Sequence, residues 1–128
     1  MNRTGLRAVD YAEHMLEFIT RIEDYLKGKD LDDFRHDPKT RDAVLRNMEI
    51  LGEAANNLRK VFPDAEKLFP KIPFTQIYGM RNHLAHGYFV IDVDILWKVI
   101  ERDLKNVRPH VEALVAYLKN FSASQSST

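Results

Sequence analysis

Residues 37–62 decide the fold class: Asp37-Pro38-Lys-Thr-Arg-Asp-Ala-Val44-Leu-Arg-Asn-Met48-Glu-Ile-Leu51-Gly52-Glu53-Ala-Ala55-Asn-Asn-Leu58-Arg-Lys-Val-Phe62. Aspartate suits an N-cap. Proline suits the first helical position, where its missing N–H would have had no intrahelical partner. From there Val44, Met48, Leu51, Ala55, Leu58 and Phe62 recur at steps of four and three, one face of a helix. A stripe that long has to be buried against other helices, and the flanking sequence supplies them.

Upstream, Val9, Ala12, Leu16, Ile19, Ile22 and Leu26 repeat the same period and stop before Gly28, a C′ residue. The polar connector Lys29 to His36 carries Leu31 and Phe34 as core anchors. Downstream, Pro63, Pro70 and Pro73 punctuate residues 63–73, which reads as a loop with at most a short turn around Ala65–Phe69. Pro73 opens a third helix, with Phe74, Ile77, Met80 and Leu84 inward, ending at Gly87. Asp92 caps a fourth, whose apolar set is Ile95, Val99, Leu104, Val107, Val111, Leu114 and Leu118. Pro109 should break or kink that helix near Arg108. No strand pattern and no repeat is present. The expected fold is all-α: an antiparallel four-helix bundle over residues 1–121, with a kinked long C-terminal helix, then a frayed, disordered polar tail over 122–128. Gly52 and Gly79 fall inside helices at a cost of about 1 kcal/mol each relative to alanine. Close approach by a neighbouring helix, within the bundle or across a dimer, is the expected compensation.

At 128 residues the chain is one domain. It has no cysteine, which removes thiolate nucleophiles, disulfides and cysteine-based zinc sites and fits a reducing cytoplasm. The N-terminus lacks the apolar core of a secretory signal, and no apolar run approaches the ~20 residues of a membrane span. The 19 basic and 19 acidic residues cancel. A nucleic-acid binder usually carries a basic excess, so any such function has to come from a local arrangement.

Chemistry concentrates in residues 80–89, Met-Arg-Asn-His-Leu-Ala-His-Gly-Tyr-Phe. Arg81 is a permanent cation able to grip phosphate in two places. His83 and His86 titrate near neutrality, and Tyr88 adds a phenol. Five residues along a helix turn ~140°, so Arg81 and His86 do not share a face. Their spacing alone favours a surface salt bridge from Arg81 and a helix-terminal histidine at His86. A functional pair needs an unwound helix end at Gly87 or a second protomer that sets Arg81 of one chain near His86 of the other. His83 and His86 lie three apart, but no carboxylate motif joins them, and no metal site or cofactor is expected. His14, His36 and His110 are isolated, Asp37 is a cap, Glu53 is a partner for an arginine or a solvated residue, and Trp97 and Met48 are core.

Arg81-Asn-His-Leu-Ala-His86-Gly-Tyr88 resembles the Arg-x4-His-x-Tyr pattern of the HEPN superfamily, in its HepT-like branch. Further stretches resemble the same family in the same order: Phe34-Arg-His-Asp37, Ala43-Val-Leu-Arg46, Met48-Glu-Ile-Leu-Gly-Glu-Ala-Ala55, Ile72-Pro-Phe-Thr-Gln-Ile-Tyr-Gly-Met-Arg81 and Asp92-Val-Asp-Ile-Leu-Trp97. The resemblance covers about residues 5 to 118. It implies a helical homodimer with the motif at its seam, and metal-independent endoribonuclease activity as the toxin of a toxin–antitoxin pair. It also implies a nucleotidyltransferase-fold antitoxin that adenylylates the motif tyrosine, here Tyr88. Arg81 and His86 would then be catalytic, Arg81 holding phosphate oxygens and His86 moving the proton as RNA's 2′-OH attacks. Asn82, His83, Asp37 and Glu53 would support them. The rival expectation is a non-catalytic module that docks a nucleotidyltransferase or presents its substrate.

Overall fold

The computed structural model describes residues 7–85 and 92–126, with side chains described over 7–80 and 92–120. In order, the elements are α1 (Ala8–Leu26), α2 (Leu31–His36), α3 (Pro38–Val61), α4 (Ala65–Leu68), α5 (Phe74–Ala85), α6 (Val93–Lys98), a π-helical segment (Val99–Leu104) and α7 (Lys105–Ser126). The described residues contain no strand, so the chain is all-α.

The α1–α3 pair forms the centre. Ala12, Met15, Ile19 and Ile22 of α1 are fully buried, as are Val44, Ala55 and Leu58 of α3, with Leu51 close behind. Burial of each such aliphatic side chain contributes about 1.5–3 kcal/mol before entropy is subtracted. Met15 takes the core position, and Leu16 and Leu26 pack partly buried at the edge. Val111 and Leu114 close the core from α7. Arg108 joins α7 to α1, its Nη1 donating to Glu23 Oε1 at 2.7 Å and to Thr20 Oγ1 at 3.0 Å.

Cap chemistry sets the helix ends. Gly28 adopts φ +76° just past α1, a left-handed conformation that a glycine adopts without a Cβ penalty. Asp37 caps α3: its carboxylate accepts from the Thr40 N–H at 3.2 Å and the Thr40 hydroxyl at 2.5 Å. Pro38 follows at the first helical position. The short α4 falls where a turn was expected, and Asp92 caps α6 by accepting from the N–H groups of Asp94 and Ile95.

Four readings of the sequence need correction. The connector before α3 is not merely polar chain. Asp30 and Asp33 exchange side-chain and backbone hydrogen bonds at 2.9 and 3.0 Å, a reciprocal cap that starts α2 and sinks Phe34 completely. Helix α7 does not break at Arg108 and runs through Pro109. Its irregular part lies upstream, in the π-helical Val99–Leu104 next to the Lys105 carbonyl that the proline ring crowds. That wider winding also shifts the apolar phase. Leu96, Ile100 and Leu104 face the core at steps of four, and Ile95 is 60% exposed rather than inward. Finally, α7 continues to Ser126, past the expected tail boundary at Ser122, because residues 122–126 contain neither proline nor glycine.

The interior glycines divide. Gly52 is buried in α3. Gly79 is exposed, and a Cβ there would meet nothing within 4 Å. Among the described residues, no neighbour requires it.

Candidate active site

Two packed joints hold the ends of the chain segment that carries the motif. On the N-terminal side, α5 packs along α3. Its entry is fixed by Phe74, 1% exposed, and by Arg59, whose Nη1 donates to Thr75 Oγ1 at 3.0 Å. Arg81, Asn82 and His83 belong to the last described turns of α5, which is described as far as Ala85. Their side chains, and all of His86, Gly87 and Tyr88, lie outside the described residues, as does the helix end expected at Gly87.

On the C-terminal side, α6 is clamped to α2. The Arg35 guanidinium grips Asp94 in a fork, Nε to Oδ1 at 3.0 Å and Nη2 to Oδ2 at 2.8 Å. Beside it the rings of Phe34 and Trp97 meet at 5.4 Å. Arg41 Nη1 donates to the carbonyls of Phe34 and Arg35 at 3.2 and 2.6 Å, closing the end of α2. The hydrogen bonds from Arg35 hold the Asp94 carboxyl below the usual aspartate range. The fork is geometrically specific but solvent-exposed, so it orients α6 more than it stabilises the fold. This clamp escaped the sequence reading. Its signal was present, since Phe34-Arg-His-Asp37 and Asp92-Val-Asp-Ile-Leu-Trp97 were both singled out, but nothing in helical periodicity pairs them.

Asp37 sits two residues past Arg35, on the clamp side. Its oxygens are occupied by Thr40 and, at 3.7 Å, by Lys29. The Thr40 hydroxyl, first among these partners, holds its pKa down. These contacts make it a cap; a contact with Arg81 or His86 falls outside the described residues. Glu53 is half-buried midway along α3, the helix on which α5 packs. Trp97 and Met48 pack with the core as expected. His36 ends α2, with Nδ1 2.9 Å from the Asp32 carbonyl oxygen, and His14 lies edge-on between Tyr11 and Phe18.

Between α3, α5 and the π-helical segment runs an open groove of about 460 Å³. Met48, Leu51, Ile77, Met80, Val99 and Leu104 give it an apolar floor, with Gln76, Asp103 and Asn106 also lining it. Met80 immediately precedes Arg81, so the groove opens beside the motif's first residue. A second missed feature is Asn47 of α3, 6% exposed among core side chains. Its Nδ2 donates to the Ala43 carbonyl at 2.8 Å, while its buried Oδ1 has no partner. No group of three His, Asp or Glu side chains suited to a metal ion occurs among the described residues, and no helix there is long and apolar enough to cross a membrane.

Comparison with known proteins agrees with this frame. Residues 15–114 match the family "Ribonuclease HepT-like". The chain is 38% identical to "Probable ribonuclease HepT" of Thermococcus cleftensis over 105 residues, 82% of this chain and 93% of that protein. It is 33% identical to a "Putative RNase" of Methanocaldococcus jannaschii over 112 residues, 88% and 98% of the two chains. A further "Putative RNase", from Caldanaerobacter subterraneus, is 33% identical over 105 residues, 82% and 91% of the two. No solved structure matches. A helical frame with Arg81 in α5, together with these matches along most of its length, places the chain in the HepT-like ribonuclease family.

Proposed function

We propose that this chain is a metal-independent endoribonuclease whose catalytic residues are Arg81 and His86. The observation that carries the reading is the Arg81-x4-His86-x-Tyr88 motif, intact in a chain of the HepT-like family, with Arg81 on the helix that α3 supports. RNA carries its own nucleophile. The 2′-OH attacks the adjacent phosphorus, the 5′-oxygen leaves, and a 2′,3′-cyclic phosphate remains. His86, with an ordinary pKa of about 6.5, takes the hydroxyl proton or returns one to the leaving oxygen. Arg81 neutralises the non-bridging oxygens as charge builds on the phosphorane. Asn82 and His83 sit beside them in sequence and orient phosphate or ribose.

The active unit is a homodimer. Arg81 and His86 are too far apart around a straight helix to converge, and two features on α5 suit a partner chain. These are the exposed Gly79, with open space where a Cβ would stand, and the apolar groove along Ile77 and Met80. In its biological setting the chain is a cytoplasmic toxin, silenced by a nucleotidyltransferase-fold antitoxin that adds AMP to Tyr88. Phosphate placed there occupies the grip that Arg81 offers to RNA. The test is co-expression with the neighbouring nucleotidyltransferase followed by intact-mass measurement. AMP on the wild type and none on Tyr88→Phe supports the reading; AMP retained on Tyr88→Phe contradicts it.

A further inference from the structure

At the end of the bundle away from the Arg35–Asp94 clamp, Tyr117 of α7 is 40% exposed although its ring meets two others. Phe62 lies at 6.3 Å with planes 26° apart, and Phe69 lies edge-on at 5.8 Å. Those contacts gather the end of α3, the end of α4 and the last turns of α7. Val61 and Leu68 beside them are 43% and 48% exposed. Three of the five large exposed apolar side chains among the described residues therefore share this end.

Charge follows the same polarity. Within residues 59–71 four bases (Arg59, Lys60, Lys67, Lys71) face two acids (Asp64, Glu66), and Glu66 is already paired with Arg59 at 3.7 Å. Lys60, Lys67 and Lys71 are exposed. At the clamp end, residues 23–37 hold six acids and three bases. The neutral total thus conceals two oppositely charged ends. The basic end adds an aromatic face to cations free to meet phosphate, the pairing that single-stranded nucleic acid requires.

We infer that this end binds a single-stranded stretch of the RNA substrate, with Tyr117 stacking a base and Lys60, Lys67 and Lys71 contacting phosphates. The inference rests on the ribonuclease reading for the identity of the ligand but not on the catalytic residues. Arg81 lies seven residues after Phe74, the first residue of α5, a rise of about 10 Å. At about 3.4 Å per stacked nucleotide, roughly three nucleotides span that rise. Only RNA longer than that engages both.

The experiment measures binding of single-stranded RNA by fluorescence anisotropy, in a His86→Ala background that leaves the probe uncut. One probe is shorter than the bridging length and one well beyond it. Lys60→Glu, Lys67→Glu and Lys71→Glu combined should weaken the long probe at least tenfold and lower the slope of log affinity against log salt by about 2, for three single-strand phosphate contacts. Tyr117→Ala should weaken it roughly fivefold to a hundredfold, the range of one lost stack. Tyr117→Leu keeps the apolar cover over Phe62 and Phe69 and should lose as much; circular dichroism confirms the fold of each variant. Short-probe binding should fall less, because a short RNA can occupy the motif alone. Unchanged long-probe affinity and salt slope overturn the inference. Lost binding of the nucleotidyltransferase with RNA binding intact also overturns it, by assigning the patch to a protein. If the long probe behaves as stated but wild-type protein cleaves no RNA, the surface stands and the catalytic reading fails.

Discussion

The α1–α3 pair and the α2–α6 joint are built from different materials. The first is a dry seam of Ala12, Ile19, Leu51, Ala55 and Leu58, all 0–1% exposed. The second is one ring contact and an exposed Arg35–Asp94 fork, side chains 45% and 47% accessible. Apolar burial supplies most of the stability, whereas an exposed ion pair supplies geometry and little energy. The two elements that flank residues 86–91 thus differ: α5 is held to a rigid frame through α3, and α6 by a weaker polar joint.

The comparison breaks first at Leu51. Leu51→Ala should cost about 2–5 kcal/mol, because α1 and α3 cannot both close on the missing volume. Urea unfolding measures it, and a loss under 1 kcal/mol would mean the central seam is not where the stability lies. Next comes Gly79→Ala. Among the described residues the new Cβ meets nothing within 4 Å, so the folded protomer should gain up to about 1 kcal/mol. If α5 forms a dimer seam at that glycine, sedimentation at micromolar concentration should show the dimer weakening as the protomer strengthens. A variant that gains stability and dimerises as before would move the seam off Gly79.

The joint should respond more quietly. Arg35→Ala should leave the urea midpoint close to wild type while amide exchange quickens over Val93–Lys98 and RNA cleavage falls. Unaltered exchange there would show that the Phe34–Trp97 contact alone suffices. Asp94 has a folded pKa below its unfolded one, so the contribution of its link to Arg35 is fully present above the ordinary aspartate value of about 3.9. That contribution declines as pH falls through the lowered folded value. Protection over Val93–Lys98, taken relative to the intrinsic exchange rate at each pH, should therefore fall in acid for the wild type and show no such step for Asp94→Asn.

The frame was readable because burial imposes a period. The stripe from Val44 to Leu58 is the observed core of α3, and Asp37-Pro38 marks its start. The period misled where the winding changes: Leu96 and Ile100 are buried and Ile95 is exposed, while Val99 packs partly buried against the core. Helix α2 was missed because its signal is a reciprocal aspartate cap around a single buried ring, too short for a stripe. The Arg35–Asp94 fork joins positions 59 apart, which no local pattern specifies. Asn47 went unnoticed because it occupies a core position by spacing, where a polar side chain reads as an exception. Arg81, Asn82 and His83 were legible as chemistry, and the structure adds their place in the last described turns of α5.

The most direct test of the ribonuclease reading is cleavage of single-stranded RNA by purified protein in excess EDTA, with end-group analysis, for wild type, Arg81→Ala and His86→Ala. The account predicts wild-type cleavage leaving 2′,3′-cyclic phosphate or 3′-phosphate ends. It also predicts loss of about 10²–10⁴-fold or more in rate for His86→Ala, a comparable loss for Arg81→Ala, and unchanged helical content in both. Wild-type activity that disappears in EDTA, or His86→Ala protein as active as wild type, would contradict it.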